Sequence, residues 1–495
     1  RHPGPRNPAQ RSPGSLIALS LLWQDCLPQV LCPASAVALL FFVWGFTMYP
    51  RLFLAATLAA GTQAYAQENA QASAPGFIEG SSLDLNLRHY YSNQHTQRST
   101  YLSIKKPGGI ERTRVRETWV QTAMLKYSSG YTQGVIGVGV DVGVFSAVNL
   151  QRGHGKVANG GDRVLVDSDG DAIPTWSRLG VGDVRFRLSN TELKAGRLMT
   201  DNPILRYKDN RALPSSFQGV GLYSNELDWL SVQGGSFDRA IPRTGTGAER
   251  LTTTFGNRAY SGARISYLGA TLKPGYGLEA SLYGSRFEDM WDQYYLGLTH
   301  RIGDKNAVAL KTALHYYRTQ DSGQQRLGYI DNDAASLAVT ANHQAHSLTL
   351  AWQQVFGNEY FDYVWESTGN YMANSLYSDY NGPNEKSWQL RYDLDLAAYG
   401  VPGLTASLWH AKGWGIDGTH YEGDRNGHNT GYNVRGLDNA KHNENGLMLA
   451  YVVQSGKLKN SVLRTIVYNH RASGGQIDGS YDEFRIVGNF PINLF

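Results

Sequence analysis

Cysteine is almost missing from this chain of 495 residues: there are two, Cys26 and Cys32, both ahead of the mature part argued below. A mature chain without cysteine has no disulfide, no thiolate zinc site and no cysteine nucleophile. Charge is sparse, at 18% of residues, and nearly balanced, with 46 Lys and Arg against 42 Asp and Glu. Disordered chains have large net charge and few aromatics, whereas aromatics here reach 12%, so that class is excluded. Repeated apolar runs of about 20 residues are absent too, which excludes a helical membrane bundle. Abundant instead are glycine (55) and tyrosine (30), a composition suited to many strands joined by turns. The length exceeds one ordinary compact core and leaves one large all-β shell or several domains.

Met48 opens a stretch with Arg51, the apolar run Leu52-Phe53-Leu54-Ala55-Ala56, and Ala64-Tyr65-Ala66. A charged start, a short apolar core and an Ala-x-Ala site predict a signal peptide over 48–66, cleaved after Ala66 to leave Gln67–Phe495. Residues 1–47 read as an artefactual extension upstream of the true start. Their apolar Leu39-Leu40-Phe41-Phe42-Val43-Trp44 leaves a membrane anchor as the rival reading. Removing 1–66 leaves 42 basic and 41 acidic residues, or about +1.

Alternation dominates the mature chain after a short lead-in, 67–80. Ile136, Val138, Val140, Val142 and Val144 share one face of a strand, opposite Gly137, Gly139, Asp141 and Gly143. Trp388, Leu390, Tyr392, Leu394 and Leu396 oppose Gln389, Arg391, Asp393 and Asp395, and Val184, Phe186 and Leu188 oppose Asp183, Arg185 and Arg187. Any one such strand would suit a soluble sandwich; the count discriminates better. Eighteen strands are predicted, among them 81–91, 131–146, 182–189, 192–199, 385–399, 446–454 and 482–490. Tight turns such as Asn190-Thr191 and Val401-Pro402-Gly403 alternate with long loops near 92–113, 147–181, 200–218, 239–257, 319–333, 358–384 and 412–445.

An even number of antiparallel strands, short-turned at one end and long-looped at the other, predicts an all-β transmembrane antiparallel β-barrel of 18 strands in a bacterial outer membrane, over residues 81–495. Strand-end aromatics such as Trp119, Tyr131, Trp229, Tyr267, Tyr294 and Tyr451 suit interfacial girdles. So wide a barrel encloses an aqueous channel that something must narrow. The loop after the fifth strand, Met199 to Gly219, is the candidate. Pro203 and Pro214 cannot continue a central ladder, and Asp201, Arg206, Lys208, Asp209 and Arg211, with Ser215 and Ser216, suit a wet constriction. Alternation places Arg185, Arg187, Arg264 and Lys311 on lumen faces.

Several segments together resemble the OprD family of substrate-specific outer-membrane porins. They are Gly76-Phe77-Ile78-Glu79-Gly80-Ser81-Ser82-Leu83-Asp84-Leu85 with Arg88 and Tyr90-Tyr91, Gly130-Tyr131-Thr132-Gln133-Gly134, Pro203-Ile204-Leu205 through Leu213-Pro214-Ser215-Ser216-Phe217-Gln218-Gly219, Arg391-Tyr392-Asp393 with Gly400-Val401-Pro402-Gly403, and Asp482-Glu483-Phe484-Arg485. The resemblance implies a monomeric or loosely trimeric barrel, an inward third loop and a ladder of basic residues guiding carboxylates, with Arg464, Arg485, Arg391 and Arg88 as its members. It also makes the terminal Phe495 an outer-membrane assembly signal. Guanidinium groups that bind a carboxylate repeatedly and weakly would pass it along without trapping it. The alternative is that each pairs with a wall carboxylate to hold the barrel's shape.

The resemblance leaves two substrate classes, simple or aromatic carboxylates and basic amino acids or peptides; the positive balance of the constriction loop favours the first. No nucleic-acid partner, cofactor or metal is expected. Asp167-Ser168-Asp169-Gly170-Asp171 imitates the opening of a calcium loop, but its twelfth position is Arg178 where a carboxylate is needed. A barrel hydrolase, an adhesive barrel with a blocked lumen and a plugged ligand-gated receptor are the rivals. No nucleophile elbow or His-Glu-x-x-His motif supports the first, and the short lead-in leaves no room for a plug.

Overall fold

A computed structural model describes residues 68–151, 164–167, 169–368, 370–424 and 431–495. The upstream extension and the signal peptide lie outside them. Among the described residues no helix is long and apolar enough to cross a membrane. The chain crosses with strands instead.

Eighteen long strands run antiparallel in chain order, and the barrel closes where the first, Ser82–Gln97, pairs with the last, Ser480–Asn493, from Asp84 opposite Asn493 to Gln97 opposite Ser480. The backbone of Phe495 extends this seam, its carbonyl accepting from the Leu83 amide at 3.1 Å. Closure leaves no edge group to be desolvated by lipid. The faces sort as the alternation requires. Val142, Val144, Val184, Phe186 and Leu188 are exposed outward, while Asp141 is buried inside the wall.

Three details differ from expectation. The strand predicted over 385–399 stops at Asp395, whose carboxylate accepts from the Ala397 amide and starts a single 3-10 turn, Leu396–Tyr399, closed by Gly400 in the left-handed region. The first long loop carries its own hairpin, Leu102–Lys106 with Gly109–Thr113. Several strands also begin or end further toward the looped side, as in Thr175–Leu188 and Ala440–Val452. Toward the looped side the inward face changes character, with buried polar groups such as Arg178, His442 and Glu444 in these two strands and apolar and aromatic side chains in others, so alternation no longer marks the strand there.

That inward apolar set has a partner. Phe217, Phe237, Tyr267, Trp291, Tyr295 and Tyr317 face inward and are buried against Leu205, Tyr360 and Phe361 from loops folded into the lumen. Tyr267, read as a girdle residue, is therefore an interior one. Tyr131 is also buried, under two guanidinium groups. Trp119, Trp229, Tyr294 and Tyr451 do sit exposed on the outside. The lead-in tucks under the short-turned end, where the Gln71 amide donates to the carbonyls of Thr132 and Gly134.

Candidate functional site

The loop 199–215 crosses the lumen because its prolines end the ladder and its apolar residues have wall to bury against. The carbonyl of Pro203 accepts from the Tyr317 hydroxyl on one side. The carbonyl of Ala212 accepts from Thr122 on the other. The loop 357–385 meets it twice: Ser215 donates to the Glu366 carbonyl at 2.8 Å, and the Arg206 amide donates to the Ser367 hydroxyl at 3.2 Å. Arg178, read from sequence only as a defect in a calcium motif, is an anchor here. Its guanidinium donates to the carbonyls of Pro214, Pro242 and Gly245 and so ties two inward loops to one strand. Arg243, itself in an inward loop, joins that loop to two others through Glu366 at 2.9 Å and Asn210 at 2.5 Å.

The residues named from sequence fall into four positions. At the narrowing, Arg88 grips Asp209 with two hydrogen bonds of 2.5 and 3.0 Å and also donates to Asn489. Arg485 is clamped to Glu483 at 2.5 Å under the Tyr377 ring, and Arg211 lies 3.5 Å from the same carboxylate. Arg206 pairs with Asp201 at 3.0 Å. Lys208 has no ion pair among the described residues and sits 5.3 Å over the Tyr363 ring. Burial, then the neighbouring Arg243, pushes its ammonium down to about 8. Ser215 and Ser216 are fully buried, with their hydroxyls on the backbone carbonyls of Glu366 and Gly180, so neither lines an open passage.

Toward the short-turned end, Arg185 lies 3.6 Å from Asp141, and Arg187 stacks on Tyr131 and donates to Gln71. Arg391 is bidentate on Asp393. Arg464 and Lys311 are different. Both share the inward face of their strands, both are exposed, and neither has an ion pair among the described residues. Directly across the ladder from Lys311 stands Arg301, exposed on the inward face and likewise without an ion pair among the described residues. Sequence reasoning passed over Arg301 although the signal was there: Leu296, Leu298 and Ile302 alternate outward and set Arg301 inward.

Arg264 is a correction. It shares its face with the exposed Leu268, while Ile265 and Tyr267 point into the barrel, so Arg264 lies on the outer face near the loops, 3.6 Å from Asp238. Alternation misled because the inward face here is the apolar one.

From the last strand's register, the Arg88, Arg464 and Arg485 positions lie opposite Asn489, opposite Val487, and at residue 485 itself. Each is two residues, or about 7 Å, further along the wall. The three cations stand at successive heights on the wall, Arg88 and Arg485 buried and already paired with carboxylates, Arg464 exposed.

The chain matches the profile "outer membrane porin, OprD family" over residues 75–494. It is 36% identical over 456 residues to Porin D of Pseudomonas aeruginosa, an alignment covering 89% of this chain and 98% of that one. The crystal structure of Pseudomonas aeruginosa OccD3 (OpdP) superposes with a TM-score of 0.75 at 49% identity, over 87% of this chain and 95% of that one. That of Pseudomonas aeruginosa OpdK with vanillate does so with a TM-score of 0.73 at 28% identity, over 84% and 100%. The chain belongs to the OprD family of outer membrane porins, a substrate-specific channel embedded in the outer membrane.

Proposed function

We propose that this porin gives passive, selective diffusion to small carboxylate-bearing solutes, aromatic or simple organic acids. The observation that carries the reading is the set of lumen cations with no ion pair among the described residues: Arg301, Lys311 and Arg464 on the wall and Lys208 at the narrowing. A guanidinium already neutralised by a wall carboxylate attracts an anion weakly; among the described residues no carboxylate lies within ion-pair distance of these four. The vanillate named with the OpdK structure is an aromatic carboxylate, in keeping with the reading.

A basic amino acid or peptide is the second reading, favoured by Asp379. That carboxylate accepts from Tyr363 and Ser375, has no ion pair among the described residues, and could take an ammonium group while the cations take the carboxylate. The chain acts as a monomer or loose homotrimer delivered by the outer-membrane assembly machinery.

Liposome uptake of benzoate, succinate, arginine and lysine tests the choice. The double variant Lys311→Ala/Arg464→Ala breaks no ion pair among the described residues, so the barrel stays intact, and benzoate uptake falls roughly three- to tenfold, about 1 kcal/mol of lost attraction. Unchanged benzoate uptake, or arginine exceeding benzoate in the wild type, rejects the carboxylate reading.

A further inference from the structure

The loop-side ends of strands Ala440–Val452 and Val462–Ala472 each turn one histidine inward, and His442 and His470 meet there with Asp478 from the loop that follows. Their potential ligand atoms all lie within 4.8 Å of one another. Each imidazole has its outer nitrogen engaged by a group that only accepts. His442 Nε2 meets the Glu385 carboxylate at 2.6 Å, and His470 Nδ1 meets the Gly479 carbonyl at 2.6 Å. Those outer nitrogens therefore carry the protons. The inner nitrogens, His442 Nδ1 and His470 Nε2, then face each other at 2.7 Å with a lone pair each. The Gln476 amide also reaches His442 Nδ1, at 3.3 Å, but two lone pairs facing at 2.7 Å still require a proton or a metal ion between them.

Charge leads to the same place. Glu385, Glu444 and Asp478 stand around the pair. The two glutamates are fully buried, and among the described residues none of the three has a lysine or arginine ion-pair partner. Buried carboxylates without a cation are costly. Both imidazoles also show the outer support of metal-ligating histidine, a carboxylate on one and a backbone carbonyl on the other, which fix the tautomer and the ring.

We propose that His442, His470 and Asp478 bind a divalent transition-metal ion of the zinc class. Two imidazoles and one carboxylate suit that class and not calcium or magnesium, which take oxygen ligands. Metal–ligand distances of about 2.0–2.2 Å place tetrahedral ligand atoms roughly 3.3 Å apart. The histidine pair need open by only about half an ångström. The Ser378 hydroxyl, 3.4 Å from His442 Nδ1 and 2.5 Å from Asp478, stands near the fourth position.

The ion would act on the pore. Glu385 and Ser378 belong to the inward loop 357–385, and the neighbouring Tyr377 stacks at 4.1 Å on Tyr468 and covers Arg485 at 5.0 Å. A metal at this place fastens that loop to the wall and with it the ring over the narrowing.

Untagged, EDTA-stripped protein in detergent is titrated with Zn²⁺ by calorimetry and with Co²⁺ by absorbance. One Zn²⁺ per barrel and a tetrahedral Co²⁺ band are expected. His442→Gln abolishes both, Asp478→Asn weakens binding at least tenfold, and Glu385→Gln, which acts through His442, weakens it about tenfold. Folding of each variant is checked by heat-modifiable mobility. Should His442→Gln not fold, the loop variant Asp478→Asn carries the comparison. Equal zinc binding by wild type and folded variants overturns the proposal. So does a wild type that binds none and only changes stability as pH crosses the histidine range, since a shared proton would then hold the pair.

Discussion

A lysine among aromatic rings in a narrow lumen keeps its charge less easily than one in water, and Lys208 is such a lysine. Burial and Arg243 bring its protonation range down to about 8. It is therefore cationic at pH 7 and neutral by pH 9 to 10. Anion preference, read from the reversal potential in a salt gradient across a planar bilayer, should fall as pH rises through 8, and Lys208→Gln should remove that dependence. Linkage runs the same way for stability. The unfolded chain holds the proton up to the ordinary value of 10.5, so the folded state gains stability as pH rises from about 8 toward 10.5. Neighbouring Glu366 has the opposite fate: burial would raise it, but Arg243 and then Lys208 more than offset this and hold it below the usual carboxylate range.

The inward loops behave as one element, since each is held by the others more than by itself. Arg243 from the loop 242–264 reaches Glu366 in the loop 357–385 and Asn210 in the loop 199–215. Asp362, deep in the same assembly, accepts from Thr253 and from the amides of Phe255 and Gly256. Removing one member of a buried pair leaves the other charge uncompensated, so Arg243→Ala should destabilise the loop assembly by about 3 kcal/mol. The barrel ladder itself is untouched by this change. The expected result is a variant with normal heat-modifiable mobility but larger, noisier single-channel currents and faster protease cleavage within 357–385. Currents indistinguishable from wild type would mean that the narrowing does not depend on this pair.

For the molecule as a whole, the decisive property is which side of the wall meets lipid. Leu296 is exposed on the outer face at mid-strand, and Thr299, three residues along the same strand, faces the lumen. Leu296→Arg should cost about 2–4 kcal/mol in a bilayer. Thr299→Arg should cost far less and instead add a lumen cation. Equilibrium unfolding in lipid vesicles separates the two, and equal penalties would contradict the assignment of faces.

The barrel was legible in the sequence because its signal is local. A period of two with valines facing hydrocarbon, as over Ile136–Val144, states the strand, its faces and the medium on each side without reference to any distant residue. Turn length then gives polarity, and the eighteen predicted strands all appear. Arg301 was legible by the same rule. What lay beyond the sequence depends on contacts between residues far apart in the chain. Arg264 was misplaced because a strand whose inner face packs on folded-in loops no longer reads apolar-out. Whether Arg88 is neutralised depends on Asp209, 121 residues away, and whether Arg464 is left exposed depends on no carboxylate arriving there. Alternation fixes the side of the wall on which a charge lies; only the tertiary structure, by bringing three loops into the lumen, decides which charges remain unpaired for a solute to meet.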